Sequence, residues 1–203
     1  MKLYTYFRSS AAFRVRIALN LKGIDYEAVP VHLVKHGGEQ LQAAYRAVNP
    51  NALVPSLQDG ELTLTQSLAI IEYIDETHPE VPLMPADPAG RARVRAISQM
   101  IACDIHPIDN LRVLRYLVQK LGVSEDDKNE WYRHWVREGF AGLEAHLARD
   151  AATGRYCHGE SPTMADCVLV PQVFNAQRLD VDMTPYPTIA RIHAACSELD
   201  AFT

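Results

Sequence analysis

The pattern of apolar residues changes once along the chain, at a segment too rich in proline to form a helix or a strand. Residues 79–88 (PEVPLMPADP) hold four prolines, each of which lacks a backbone N–H donor and has a fixed φ. Strand-like and helix-like segments alternate before this linker, and only helical patterns follow it. The sequence therefore predicts an α/β domain at 1–80 and an all-α domain at 89–203.

The N-terminal domain is predicted to form a small mixed sheet with helices packed on it, in the order β-α-β-α-β-β-α. Pro30 weakens the second strand and places it near an edge. Asp59-Gly60 predicts a tight hairpin turn, since these residues accept positive φ. The predicted strands are 2–7, 26–33, 54–58 and 62–65, and the predicted helices are 10–22, 40–47 and 67–77.

The C-terminal domain is predicted to be helical throughout. Thr163 and Asp166 have the spacing of a capping box, in which two side chains satisfy free amides at a helix start. The predicted helices are 89–120, 125–149, 163–178 and 186–199.

Composition excludes several classes of function. The 203-residue chain has a net charge of −5, so we expect no nucleic-acid partner. No apolar stretch reaches the ~20 residues of a membrane span, and the N-terminus lacks a signal peptide pattern. The four cysteines form no CxxC pair, which excludes a dithiol mechanism and favours reduced core residues in a cytoplasmic protein. His32 and His36 straddle a strand end and a Gly-Gly loop, so we expect no metal site.

The turn from the first strand into the first helix carries Arg8, Ser9 and Ser10. A helix start aims free amides and the positive end of the helix dipole at one point. The serines are therefore either simple N-caps or part of an anion site, such as one for a thiolate. A second helix start at Gln66-Ser67 and a Val54-Pro55 strand edge favour the second interpretation, because together they suit a peptide-like ligand with carboxylates and one sulfur.

Several segments together resemble the zeta class of glutathione transferases: YFRSS…RVRIAL, NP…LVPSL, QSLAIIEY, DIHPIDNLRVL, TMADCVLVPQV and VDMTPYP. The resemblance covers nearly the whole chain in order. It implies a thioredoxin-like glutathione-binding domain followed by an all-helical substrate-binding domain. It further implies a homodimer that uses glutathione as cofactor and a small dicarboxylate keto acid as substrate.

The resemblance also implies site residues. Ser9 takes the position whose hydroxyl holds the glutathione sulfur as a thiolate, and Arg8 and Arg178 take those of arginines that meet substrate carboxylates. The catalytic residues so implied are Ser9, Arg8 and Arg178. The glutathione-binding residues are Ser9, Ser10, Ala11, Gln40, Val54, cis Pro55, Gln66, Ser67, His106, Asn110 and Arg112. The substrate-binding residues are Arg8, His106, Arg112 and Arg178.

Two positions qualify these implications. Many members of the class have a cysteine where this chain has Ala11, so chemistry that needs a protein thiol there is unavailable. We expect His106 to position other groups rather than to transfer a proton.

We expect Arg14 and Arg16 to pair with carboxylates across the domain boundary, although Arg14 could also reach the ligand.

The expected reaction is a glutathione-dependent cis–trans isomerisation of a maleyl-keto acid, maleylacetoacetate or maleylpyruvate. Two alternatives remain open: a general zeta-type transferase that acts on α-halo acids, and a non-catalytic glutathione-binding module.

Overall fold

The computed structural model describes all 203 residues and divides into two compact units. The first comprises Met1–Met84 and Phe202, and the second comprises Pro85–Ala201 and Thr203. They are called domain 1 and domain 2 below.

Domain 1 contains a four-stranded mixed sheet in the spatial order β2-β1-β3-β4. Strand β1 is parallel to β2 and antiparallel to β3, and β3 pairs with β4 in a hairpin through a turn in which Gly60 has a φ of 58°. The edge position of β2 and the hairpin are as predicted. The strands are β1 Lys2–Thr5, β2 Glu27–Pro30, β3 Ser56–Asp59 and β4 Leu62–Thr65, and the helices are α1 Ser10–Leu21, α2 Ala43–Val48 and α3 Ser67–Thr77.

The core of domain 1 lies between the sheet and helices α1 and α3. Leu3 of β1 faces Leu57 of β3 across the antiparallel pairing, and both are fully buried. The apolar side chains of α1 and α3 that complete this core are Val15, Ile17, Leu19, Ile70, Ile71 and Ile74. Eight of the twelve residues of α1 are apolar, as this packing requires, since a helix buried on more than one side needs apolar residues around most of its circumference.

Strand β1 is shorter than the predicted 2–7 because the chain turns before the first helix. The Ser9 N–H donates to the Tyr6 carbonyl at 2.9 Å, which closes a four-residue turn at the end of the strand. This turn delivers Ser9 to the start of α1.

Domain 2 is helical, and its first predicted helix, 89–120, is wrong as a single element. The chain instead forms helix α4 (Pro88–Gln99), a π-helical segment (Met100–Ile105), an irregular stretch at 106–110 and then helix α5 (Leu111–Leu121). Pro107 has no N–H for helical bonding, and the Asn110 side chain caps a new helix by accepting from the Arg112 N–H at 3.1 Å. The elements are α4 Pro88–Gln99, the π-helix Met100–Ile105, α5 Leu111–Leu121, α6 Glu125–Arg149, α7 Met164–Arg178 and α8 Pro187–Ser197.

The core of domain 2 is built around α7, most of whose residues are buried. Its predicted capping box is confirmed: the Thr163 N–H and hydroxyl both donate to one oxygen of Asp166, at 2.8 and 2.9 Å. Three of the four cysteines are buried as expected, but Cys103 in the π-helical segment is exposed. No helix in either domain has the length and apolar character needed to cross a bilayer.

Candidate active site

Ser9 is the N-cap of α1. Its hydroxyl oxygen accepts from the Ala12 N–H at 3.2 Å, which satisfies one of the free amides of the first turn. The hydroxyl hydrogen is left available to donate, because this contact uses the oxygen only as an acceptor. Ser9 is partly exposed and the following Ser10 is buried. A solvent-accessible donor therefore stands at the positive end of a twelve-residue helix.

The start of α3 is a second helix N-terminus in domain 1 and is joined to α1 by a side-chain hydrogen bond. Gln66 precedes the helix with a φ of 71° and makes no side-chain cap bond. Buried Ser67 begins the helix, and its hydroxyl accepts from Nη1 of Arg14 at 3.2 Å. Arg14 belongs to α1, so this bond joins the first helix to the start of the third.

The loop before β3 contains a cis peptide bond between Val54 and Pro55, as the resemblance implies. Two buried side chains fix the preceding carbonyl: the Tyr45 hydroxyl and the Asn49 amide donate to the Leu53 oxygen at 2.7 and 2.8 Å. Burial raises the pKa of Tyr45, which keeps its hydroxyl a donor. Sequence reasoning missed these two bonds because Tyr45, Asn49 and Leu53, although within nine residues of one another, match no known motif.

Gln40 lies in the loop between β2 and α2, at a position that would suit a ligand amide. Its side chain is buried, and Oε1 has no hydrogen-bond partner. Its Nε2 makes only a long contact of 3.5 Å to the Leu33 carbonyl. Gly38 makes this placement available, because a Cβ at that residue would come within 2.8 Å of the Gln40 amide. A buried acceptor without a donor indicates a group that a ligand can satisfy.

The turn that carries Arg8 is exposed, and the Arg16 side chain donates hydrogen bonds to residues of this turn and to the end of β1. Arg16 Nη1 donates to the Thr5 hydroxyl at 2.8 Å and to the Tyr6 carbonyl at 3.4 Å, and Nη2 donates to the Phe7 carbonyl at 3.4 Å. The expectation that Arg16 pairs with a carboxylate is therefore wrong. Backbone carbonyls carry no sequence signal, so this role could not be predicted.

Domain 2 brings three of its predicted site residues together. Asn110 caps α5, and its Nδ2 lies 3.5 Å from Nε2 of His106. Arg112 follows on the first turn of α5 and is exposed. Arg178 lies in the last turn of α7, with its guanidinium carbon 6.0 Å from the centre of the Tyr132 ring.

Each domain thus contributes its own set of groups. Domain 1 offers two helix starts, a hydroxyl donor and a buried free acceptor, which suit a peptide-like thiol with carboxylates. Domain 2 offers an imidazole, an amide and two arginines. No group of three or more His, Cys, Asp or Glu side chains is arranged to hold a metal ion.

Comparison with known proteins decides the family. Residues 3–82 match the family described as Glutathione S-transferase, N-terminal domain, and residues 129–200 match Glutathione S-transferase, C-terminal domain. A probable maleylacetoacetate isomerase of Vibrio cholerae is 54% identical over 98% of this chain and 92% of its own length. A solved bacterial maleylpyruvate isomerase, described as a zeta-class glutathione transferase, superposes with a TM-score of 0.96 at 52% identity, covering 100% of this chain and 94% of its own.

The chain belongs to the zeta class of the glutathione S-transferase family. Another solved relative, the maleylacetoacetate isomerase of Methylobacterium extorquens AM1, contains bound malonate and glutathione. It has a TM-score of 0.95 at 42% identity and covers 100% of this chain and 94% of its own. The residues of this zeta-class chain fit glutathione, because the free Ser9 hydroxyl hydrogen and the unpartnered Gln40 oxygen are groups that such a ligand would satisfy.

Proposed function

We propose that this zeta-class chain is a glutathione-dependent cis–trans isomerase that converts maleylacetoacetate or maleylpyruvate to the corresponding fumaryl acid. The observation that carries the proposal is Ser9, an accessible hydroxyl donor at the start of α1. Both relatives described at more than 50% identity are named as isomerases of this kind.

In this proposal, residues of domain 1 hold glutathione. The backbone of Val54 pairs with the cysteinyl part, the start of α3 takes the γ-glutamyl carboxylate, and the Gln40 side chain meets the glycyl end. Ser9 donates to the sulfur, with the Ser10 and Ala11 amides beside it.

Ser9 and its helix are sufficient to ionise the thiol. A free thiol has a pKa near 8.5, and lowering it by about two units takes roughly 2.7 kcal/mol. A hydrogen bond to a charged acceptor supplies about 1.5–3 kcal/mol. A helix start adds about 0.3–2 kcal/mol. No protein thiol is needed, which is consistent with alanine at position 11.

When bound, glutathione supplies a thiolate that adds to the cis double bond and leaves after the bond has rotated. The task of the protein is to hold the two substrate carboxylates and to stabilise charge on the ketone oxygen while the centre turns. Arg8, Arg112 and Arg178 are the cations we assign to this task, since preorganised positive charge is most effective where negative charge develops. They also give a dianionic substrate a local attraction within a chain of net charge −5. Asn110 caps the helix that carries Arg112 and lies 3.5 Å from His106, and we assign these two side chains to the binding of glutathione.

The test compares two N-cap serines. Ser9→Ala should lower kcat for the preferred maleyl substrate by about 10- to 100-fold, the loss of one hydrogen bond to a charged group. Ser124 is the matched control: it caps α6, and its hydroxyl accepts from the Asp127 N–H at 3.0 Å. Ser124→Ala should cost a similar amount of stability and leave kcat within about threefold of wild type.

Both maleyl substrates are assayed by absorbance with and without glutathione, and the ratio of their rates identifies the substrate. If neither is isomerised while glutathione still binds, the isomerase proposal is wrong, and α-halo acids become the substrates to assay.

We also propose that the enzyme is a cytoplasmic homodimer. Its cofactor is the reduced thiol that the cytosol maintains, and the family resemblance implies two subunits. Sedimentation should give twice the mass of the 203-residue chain, and a monomer at micromolar concentration would contradict this.

A further inference from the structure

The turn that presents Ser9 has little packing of its own. Phe7 contacts the rings of Tyr6 and His32 but is still 72% exposed, and Arg8 is exposed, so the two central residues of the turn bury little apolar surface. Exposed loops with few buried contacts are the parts of a protein that open most readily. Ser9 nevertheless needs a fixed direction, because a hydrogen bond to a charged acceptor weakens steeply when its geometry is poor.

Arg16 supplies contacts that span this turn. Its guanidinium reaches Thr5, Tyr6 and Phe7, the last residue of β1 and the next two. The Tyr6 carbonyl oxygen accepts from Arg16 at 3.4 Å and from the Ser9 N–H at 2.9 Å. Arg16 is thus linked to the backbone of Ser9 through a single shared acceptor.

The guanidinium is itself held in place. Its central carbon lies 5.0 Å from the centre of the Phe13 ring, one turn earlier on α1, at a distance typical of a cation–π contact. Phe13 in turn donates its N–H to the Ser9 carbonyl at 2.9 Å. Partial burial lowers the pKa of Arg16, but an arginine remains charged at neutral pH.

We propose that Arg16 is a positioning residue for the isomerase: by binding the Thr5–Phe7 backbone segment, it fixes the direction in which Ser9 presents its donor to the glutathione sulfur. The proposal rests on the proposed function and concerns a residue that touches neither glutathione nor substrate in that scheme. Its charge also offsets the carbonyl dipoles at the end of β1, which would otherwise oppose a thiolate nearby.

Arginine suits this position better than lysine. The two 3.4 Å contacts are long, so their strength comes largely from charge, but they come from different nitrogens of one planar group. A lysine ammonium is a point charge on a flexible stem and cannot present the same fork. Arg16→Lys should therefore retain the charge and lose the orientation.

The test uses Arg16→Met and Arg16→Lys, with Arg46→Met as the matched control. Arg46 is another domain 1 arginine that donates to backbone carbonyls, those of Leu41 at 3.1 Å and Pro50 at 3.5 Å. The first measurement is a pH titration of the thiolate ultraviolet absorbance of glutathione bound to each protein. The others are the glutathione Kd, kcat and the melting temperature.

Arg16→Met should raise the apparent pKa of the bound thiol by about one unit, which lowers the thiolate fraction, and with it kcat, about threefold at neutral pH. Arg16→Lys should fall between Arg16→Met and wild type. The glutathione Kd should change by less than about threefold, because Val54, Gln66 and Ser67 are untouched by the substitution. Arg46→Met should leave the thiol pKa and kcat near wild type.

A thiol pKa in Arg16→Met that matches Arg46→Met would overturn the proposal, whatever the loss in melting temperature. If Arg16→Met does not fold, Arg16→Lys decides, and a wild-type thiol pKa in that variant has the same consequence. The titration needs no maleyl substrate. An enzyme that ionises glutathione but isomerises nothing would therefore refute the proposed reaction and still answer the question about Arg16.

Discussion

Asp75 in domain 1 and Asp109 in domain 2 are buried to a similar degree, at 8% and 5% exposure, but their surroundings differ. Asp75 pairs with the buried Lys22 at 2.9 Å and accepts from the Leu83 N–H at 2.7 Å. Neither oxygen of Asp109 has a hydrogen-bond partner. The carboxylate of Asp75 is stabilised by the Lys22 ammonium and the Leu83 N–H. Asp109 has no such partners, and burial raises its pKa to about 8.

The difference is not a property of helical domains. Asp166, also in domain 2, is fully buried and accepts from Cys157 and Thr163, with distances of 2.8–2.9 Å. Burial raises the pKa of Asp166 too, but its hydrogen bonds from Cys157 and Thr163 oppose that rise, whereas Asp109 has no donors and keeps its proton at neutral pH. Asp109 directly precedes Asn110, the N-cap of α5, so this carboxyl group without hydrogen-bond donors is adjacent in the chain to residues of the candidate site.

The largest expected effect is the pH dependence that Asp109 gives to stability. The unfolded chain releases this proton near pH 3.9 and the folded chain releases it near pH 8. Between these values the folded state binds more protons, so its stability falls as pH rises and levels off above pH 8. Asp109→Asn removes this dependence. From pH 5 to pH 9 the variant should gain about 4 kcal/mol relative to wild type.

Urea unfolding at several pH values measures this change. Asp126→Asn, at an exposed position in the first turn of α6, is the control and should give a curve nearly parallel to wild type. Parallel curves for Asp109→Asn and wild type would show that Asp109 titrates at an ordinary pH.

The second-largest effect on the free energy of unfolding should come from breaking the buried Lys22–Asp75 ion pair of domain 1. Lys22→Met leaves Asp75 buried without its cation and also removes donors to the His78 and Val81 carbonyls. We expect a loss of about 3–4 kcal/mol in the free energy of unfolding. Lys2→Met is the control, because the Lys2–Glu27 pair is exposed and should contribute less than about 1 kcal/mol. Equal losses in urea titrations would mean that burial does not distinguish the two pairs.

Features that could be predicted from the sequence share one property: they depend on residues close together in the chain. The Asp59-Gly60 hairpin, the capping box of α7 and the bounds of α3 each follow from a few neighbouring residues. The break in the predicted helix 89–120 also had a local signal, since Pro107 and Asn110 mark a stop and a new cap. The apolar pattern continues through the break and concealed it.

Features that could not be predicted depend on the tertiary fold. The cis bond before Pro55 was implied by family resemblance. The bonds from Tyr45 and Asn49 to the Leu53 carbonyl are an exception, because they are local in the chain but match no known motif. The partners of Arg16 are mostly backbone carbonyls, which every residue carries. The isolation of Asp109 is also invisible in sequence, because it is defined by the donors that do not approach it.

The smallest of these effects should come from Asp166, where the donors remain when the charge is removed. Asp166→Asn keeps one acceptor oxygen for the Cys157 N–H, but its amide nitrogen cannot accept from the two Thr163 donors. We expect a loss of about 2 kcal/mol from these unmet bonds. Asp87→Asn is the matched control: Asp87 caps α4 by accepting from the Gly90 N–H at 2.8 Å, and asparagine is as good an N-cap. If Asp166→Asn lowers the free energy of unfolding no more than Asp87→Asn does, the hydrogen bonds that Asp166 accepts contribute little to stability.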